Sequence, residues 1–524
     1  MTNHIKHSCE QLRSHIDLSV LSDCLIGLEK EALRVNRQGG IAQTVHPSAF
    51  GSALTHPFIT TDYSEALLEL ITPPQPSVEA SLGFLNDLQA FVCQHLEDEI
   101  LWTNSMPCVV SGETSIPLAR YGSSNLGMMK TVYRRGLGYR YGRAMQVIAG
   151  AHFNFSFSDS FWEQYKQFSM PDASLREVKD KYYFSLIRNV LRYGWLIPLL
   201  FGTSPAICKS FVKHQKTDLD EFNDNTFYSP YACSLRMGDI GYQNNKENEV
   251  GVKANYKSLE DYVSSLRYAI NTPCEKYRNI GIKVAGKYRQ LNDHILQIEN
   301  EYYSTARPKQ IAQANEKPTT ALEKRGVEYV ELRSLDINVF EPAGLDAAQC
   351  RFLEVFLLYC LLKDSPAIEL AEYKAIDQNE LLVAHEGRRP GLRLNCHGEQ
   401  VLLTDWAQQM LQEMQQVAQL FDAAGADDAY QRAVQAQLDV VAAPELLPSA
   451  RVLAEMRENG EGFYQFAERM SLQHFRHFAS QQLPDTVTEA LHARTAESIT
   501  RQNEIEMAAQ QDFTEFLHDY FTQA

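Results

Sequence analysis

Four short segments of this chain carry acidic or ligand-type side chains at even spacings: Gly27-Leu28-Glu29-Lys30-Glu31, Glu65-Ala66-Leu67-Leu68-Glu69, Gln146 through Ser156, and Tyr329-Val330-Glu331-Leu332-Arg333. Side chains two apart on a β-strand point to the same face. The spacing therefore sets Glu29 beside Glu31, Glu65 on the face of Glu69, His152 beside Asn154, and Glu331 beside Arg333. In the last three segments the alternate positions are apolar (Ala66 and Leu68; Val147, Ala149, Ala151, Phe153 and Phe155; Val330 and Leu332) and would face a core. Parallel strands covered on both sides read as continuous apolar runs, whereas half-polar strands suit an antiparallel sheet with one face open. The expected fold class is α+β, built on such a sheet with its polar face lining a cleft.

Hard oxygen ligands gathered on one sheet face suit Mg²⁺ or Mn²⁺ carrying a nucleotide's phosphates. Like charges packed that closely repel unless a cation lies between them. Glu29/Glu31 alone would be read as a solvated face; Asp62, Glu65, Glu69 and Glu331 in similar settings strengthen the reading, Glu65 least because it precedes the regular part of its strand. The competing reading is a salt-bridge ladder, which needs cations at matching positions. Little lysine falls on these faces, and Arg333 alone does not balance the cluster. His152 has Gln146, Ile148, Gly150, Asn154 and Ser156 as strand-mates, which favours a cleft-facing ligand or phosphate donor over a core histidine.

With 524 residues and a net charge of −17, a nucleic-acid-binding surface is excluded, and an enzyme of anionic substrates needs local cations. Ten cysteines without a Cys-x-x-Cys pair fit reduced thiols in the cytoplasm. The N-terminus lacks a signal-peptide apolar region, and the longest apolar run, Val355 to Leu362, is too short to cross a bilayer.

Along the chain, residues 1–23 read as helix and Cys24 to Val35 as the first strand. A run from Ile59 to Ile71 stops at Pro73-Pro74, and Val78 to Asn104 has helical spacing. Gly122 to Gly142 reads as a loop rich in glycine, tyrosine and arginine. Met145 to Phe157 is a strand, Lys179 to Leu200 and Ser258 to Ile270 are helices, and Leu291 to Tyr303 and Val327 to Ile337 are strands. Helical periodicity dominates after Pro342, so the chain divides near residue 345 into a sheet-and-helix part, 1–345, and a mainly helical part, 346–524. Gly281 to Lys287 resembles a phosphate-binding loop, but Tyr288 stands where Ser or Thr must reach Mg²⁺; Gly136 to Gly142 has one residue too many for a dinucleotide fingerprint. Arg307-Pro308-Lys309 is a short basic turn suited to phosphates. The Tyr/Arg-rich segments around Tyr133, Arg134 and Arg135 and around Arg236 and Tyr242 offer guanidinium forks for carboxylates.

Taken together, Gly-Leu-Glu29-Lys-Glu31, Leu54-Thr-His56 through Asp62, Leu68-Glu69-Leu-Ile-Thr-Pro73, Ala151-His152-Phe-Asn154, Arg236-Met237, Asp239 with Gly241-Tyr242, and Tyr329 through Asp336 resemble bacterial glutamate–cysteine ligases of the gamma-proteobacterial type. The resemblance spans most of residues 20–345. It implies a glutamine-synthetase-like fold, a bent antiparallel sheet forming a metal-lined funnel ringed by helices. It also implies joining of the γ-carboxylate of glutamate to the amine of cysteine with ATP and Mg²⁺ (or Mn²⁺), the first step of glutathione synthesis. The metal ligands implied are Glu29, Glu31, Asp62, Glu69, His152 and Glu331. By the same resemblance Arg333, Glu331 and His152 would act in catalysis. The resemblance further implies a substrate pocket of Tyr133, Arg134, Gln146, Arg236, Tyr242 and Tyr303, with cysteine its favoured occupant, and nucleotide contacts from Arg307, Lys309 and Asn154. Some relatives carry a fused glycine-adding domain; this chain has no room for one and is expected to stop at the dipeptide, working as a cytoplasmic monomer without nucleic-acid or membrane partners. Two alternatives stay open: a related ligase using another amine acceptor, and a nucleotide-sensing relative without turnover.

Overall fold

The computed structural model describes residues 2–212, 217–240, 253–425 and 427–523. A single antiparallel sheet of seven strands organises it: β1 (Leu25–Asn36), β2 (Ile59–Thr61), β3 (Leu67–Ile71), β4 (Glu99–Leu101), β5 (Ala151–Ser156), β6 (Ala306–Lys309) and β7 (Tyr329–Leu335). The order across the sheet is β6-β7-β5-β1-β3-β2, with β4 pairing the far end of β1. Register brings the polar residues of separate segments side by side. Glu29 lies opposite His152, Glu31 opposite Glu69, Asn154 opposite both Gly27 and Glu331, and Arg307 opposite Glu331. On the reverse face Leu28, Leu68, Leu70, Phe153, Phe155, Val330 and Leu332 are fully buried in the main core, the pattern that half-polar strands require.

β1 departs from simple alternation on its core face. Lys30 is buried there, its ammonium bonded to Gln89 and, at 3.2 Å, to the carbonyl of Pro342. Arg34 is likewise buried, 2.6 Å from Glu99 of β4. These partners satisfy the charges that burial would otherwise penalise.

Three segments differ from the sequence reading. Residues 122–142 contain a helix, Asn125–Tyr141, started by Ser124, whose hydroxyl accepts from the Gly127 amide. Its glycines argued for a loop, yet here they permit close packing: a Cβ would overlap the Tyr121 carbonyl at Gly127, Gln297 at Gly136 and the Tyr63 hydroxyl at Gly138. Residues 291–303 form turns and a short 3-10 helix instead of a strand. The polar side chains there bond within the turns and to the neighbouring helix: Asn292 donates to Gln297 O at 3.0 Å, and Glu301 accepts from Arg140 at 2.9 Å. Strand β5 begins at Ala151, so Gln146 sits in a 3-10 turn, Ala144–Val147. Smaller shifts end the second helix at Gln94 and break the 179–200 run at Gly194.

Beyond residue 345 the chain is mostly helical, with one short hairpin, Arg393–Cys396 and Glu399–Leu402. These helices share the main core with the sheet. Phe463–Ala479 packs on Val78–Gln94, and Leu403–Gly425 on the N-terminal helix Thr2–His15. Among the described residues no helix is long and apolar enough to cross a membrane.

Candidate active site

The polar face of the sheet is the floor of a cavity of about 410 Å³. Glu29, Glu31, Asp62, Glu69, Gln146, His152, Arg236, Tyr303, Arg307, Lys309, Glu331 and Arg333 line it, and the helix Asn125–Tyr141 covers it with Lys130, Tyr133 and Arg134. Side chains from β1, β3, β5, β6 and β7 thus meet in one place because the register aligns them.

At the centre, His152 Nδ1 is 2.9 Å from Glu29 Oε2 and 3.6 Å from Glu331 Oε1, and its Nε2 is 3.9 Å from Glu31 Oε1. Ligand atoms of Glu29, His152 and Glu331 all lie within 4.8 Å of one another. Glu31 accepts the Gly150 amide at 2.6 Å. Burial opposes ionisation of Glu29, Glu31, Glu69 and Glu331, and the neighbours decide the outcome. Burial would raise Glu331, but Lys309, Arg333 and His152 hold it well below the usual carboxylate range. Glu29 is likewise lowered: burial and Glu331 push it up, but the hydrogen bond with His152 and the charges of His152 and Lys309 together outweigh them. Burial raises Glu31, with Asp62 adding to the rise. Glu69 is pushed well above the ordinary range by burial and then by Glu29, Asp62 and Glu31.

Hard carboxylate oxygens around one imidazole are a donor set for a divalent cation such as Mg²⁺ or Mn²⁺. The upward push on Glu69 from three neighbouring carboxylates is the strain that such a cation relieves. The residues present fit a divalent metal.

The charge balance differs from the sequence reading. Cations are not scarce: Lys309 Nζ lies 3.2 Å from Glu331 Oε2, Arg333 Nη1 is 2.9 Å from Glu331 Oε1, and Lys130, Arg134, Arg236 and Arg307 line the same space. Arg307-Pro308-Lys309 is an edge strand, where proline costs no ladder bond. Arg307 donates to Asn300 O at 3.1 Å and to Tyr302 O. Arg236 donates to Arg333 O at 2.8 Å and lies 3.9 Å from buried Asp336, which accepts from Thr203, Ser204 and Ser234. A Cβ at Gly150 would overlap the Arg236 guanidinium, so glycine leaves room for it. Arg134 stacks on Tyr121, 4.6 Å from the ring centre, and its Nε donates to Asp62 O.

Two expected residues lie elsewhere. Asn154 is not a lining residue; its amide donates to Glu29 Oε1 at 2.8 Å and so orients a carboxylate. Glu65 is not on the face of Glu69: it lies in the turn before β3 and accepts the His46 and Arg120 amides at 2.9 and 2.8 Å. Tyr242 lies outside the described residues. The two glycine patterns hold no phosphate loop, one falling within the helix Asn125–Tyr141 and the other in the hairpin Lys283–Val284 and Lys287–Tyr288. Lys130 went unread. It sits one helical turn before Arg134, a spacing that a helix reading would have exposed. Burial lowers its ammonium to about 8, against the pull of Glu69. Ile298, Asn315, Pro318 and Tyr520 also line the cavity without a local sequence signal.

The sequence profile of the glutamate–cysteine ligase family matches residues 9–383. The glutamate–cysteine ligase of Alcanivorax borkumensis is 46% identical over 523 residues, covering 99% of each chain. That of Azotobacter vinelandii is 46% identical over 505 residues, covering 96% of this chain and 95% of its own. Among solved structures, the Francisella tularensis glutamate–cysteine ligase, in complex with AMP, superposes with a TM-score of 0.89 at 36% identity, over 95% of this chain and 97% of that one. A bifunctional glutathione synthetase from Pasteurella multocida shares the fold at 23% identity and a TM-score of 0.67, over 88% of this chain and 52% of its own. On whole-length sequence, fold and the acidic cavity together, the chain belongs to the glutamate–cysteine ligase family and is an ATP-dependent ligase that joins the γ-carboxylate of glutamate to the amine of cysteine.

Proposed function

We propose that the cavity over the sheet is the site of this reaction, that its metal is Mg²⁺, and that the residues named above carry it. The observation behind this is the meeting of Glu29, His152 and Glu331 within 4.8 Å beneath a ring of cations. A carboxylate is a poor electrophile, so ATP converts the γ-carboxylate of glutamate to an acyl phosphate, which the amine of cysteine attacks as phosphate leaves. Phosphoryl transfer is chiefly a matter of positioning and charge neutralisation. Bound Mg²⁺ would supply the neutralising charge between ATP and the substrate carboxylate. Glu29, Glu31, Asp62, Glu69, His152 and Glu331 would between them hold the divalent ions. Arg333, held beside Glu331 by its 2.9 Å contact, presents donors to charge developing on the phosphoryl group. Arg307 and Lys309 face the remaining phosphates, and Asn154 fixes Glu29 from behind. Tyr133, Arg134, Gln146, Arg236 and Tyr303 shape the cysteine pocket, with Tyr242 assigned there from sequence alone. Residues 1–345 carry the catalytic sheet, while 346–524 buttress it. Ten free cysteines fit a reducing cytoplasm, and the working assembly in this reading is a monomer.

The test is ADP release from ATP with glutamate plus cysteine, with and without Mg²⁺, and with Mn²⁺ compared. Release should require both amino acids and the metal. With ¹⁸O in the γ-carboxylate of glutamate, one label should pass into phosphate; label retained wholly in peptide would rule out the acyl phosphate. Sedimentation velocity checks the monomer.

A further inference from the structure

The cavity changes character away from its carboxylates. Lys309 touches Glu331, and Arg307, opposite Glu331 across the β6–β7 pair, donates to the carbonyl of Asn300. Two residues before Asn300 stands Ile298, and there apolar groups enter the lining, Met129, Ile298, Pro318 and Tyr520, beside Asn300, Asn315 and Glu316. Met129, Ile298 and Tyr520 belong to a small apolar cluster distinct from the main core, completed by Val132, Leu291, Phe513 and Leu517. The succession is carboxylates, then two cations, then an apolar slot. It is the order in which a metal-bound triphosphate and its purine present themselves.

One side of that slot comes from the far end of the chain. Tyr520 lies on the helix Phe513–Thr522 and is 9% exposed. The helix is tied down beside the cavity: Lys317 Nζ donates to Phe521 O at 2.9 Å and to Gln523 O at 3.1 Å, and lies 5.9 Å from the Tyr520 ring centre. Thr514 Oγ1 and the Tyr288 hydroxyl are 2.9 Å apart, and Asn125 donates to Gln511 O at 2.9 Å. A tyrosine held this way keeps a fixed place in the lining, and aromatic rings are surfaces on which any base can pack.

We infer that Tyr520 is a base-binding residue: its ring packs against the purine of ATP, making the helix Phe513–Thr522 a wall of the nucleotide site. This rests on reading the cavity as the ligase active site. Steady-state kinetics of the full chain test it with Tyr520→Ala and Tyr520→Phe. Binding energy shared by ground and transition states appears in KM. Tyr520→Ala should therefore raise KM for ATP by about tenfold, with kcat and the KM values for glutamate and cysteine within about twofold of wild type. Tyr520→Phe, which keeps the ring, should behave as wild type. In Tyr520→Trp, ADP should quench indole emission beyond any change in the wild type, and inorganic tripolyphosphate should not. An unchanged KM for ATP in a folded Tyr520→Ala, an equal loss for all three substrates, or Tyr520→Trp emission indifferent to ADP would overturn the inference. The cavity reading fails separately: Glu29→Gln, Glu69→Gln and Glu331→Gln would then keep near-normal turnover. If Tyr520→Ala does not fold, the Trp emission still decides.

Discussion

At the residue scale the cavity is a contest over charge, and Glu331 is its pivot. Lys309 and Arg333 both touch it, and His152 stands 3.6 Å away. Glu29→Gln, Glu69→Gln and Glu331→Gln should each lower turnover about a hundredfold or more, since loss of transition-state charge stabilisation costs ~3 kcal/mol; near-normal turnover in two of them at saturating Mg²⁺ would contradict the metal assignment. Arg333→Lys keeps the charge and loses the planar fork. It should lower turnover while leaving KM for cysteine little changed, because an interaction made only in the transition state does not enter KM. If Arg333 only braced Glu331, Arg333→Lys would instead lower the melting temperature at normal turnover. Gly150→Ala tests the substrate pocket without touching a charge. A methyl there displaces the Arg236 guanidinium from the Arg333 carbonyl, so KM for cysteine should rise, alongside a modest fall in melting temperature from overpacking.

At the scale of elements, period-two patterning on β1, β3, β5 and β7 was legible because each strand has a wet face and a dry one. The helix Asn125–Tyr141 was not, since its glycines are there to admit Tyr121, Gln297 and Tyr63 from distant segments. The helix Ala347–Leu362 shows what burial does to one acid. Glu354 is 3% exposed and is pushed up to about 8 by burial, against the hydrogen bond it accepts from Tyr430 at 3.0 Å. Unfolded, it would ionise near ~4.3. Between that value and about 8 the unfolded chain has lost a proton that the folded chain keeps, so stability present below this window is lost as pH rises through it. Glu354→Gln stays neutral throughout. Its melting temperature should therefore fall less than the wild type's on going from pH 6 to pH 8, and parallel slopes would show that Glu354 ionises normally.

At the scale of the whole molecule, one core joins the sheet to the C-terminal helices, and the thiols are buried with it. Eight of the ten cysteines are buried. Burial pushes Cys24 well above the usual thiol range and Cys233 up to about 11, and neither lines the cavity. Cys24→Ser and Cys233→Ser should keep at least roughly a tenth of normal turnover, a loss of no more than ~1.4 kcal/mol; a thousandfold drop in a folded variant would place a thiol in the chemistry. EDTA should abolish turnover of the whole enzyme and Mg²⁺ restore it. The sequence by itself determined the half-polar strands, the antiparallel class, the helical C-terminal part and most residues of the cavity floor, because strand periodicity is local and a carboxylate facing a cleft needs no distant partner to be noticed. Tertiary structure alone decided that Glu65 turns away to cap two amides, that Asn154 backs Glu29, and that Lys130 and Tyr520 join the cavity. Those placements depend on register between strands and on which helix closes over the sheet, and both are set by contacts between segments far apart in the chain.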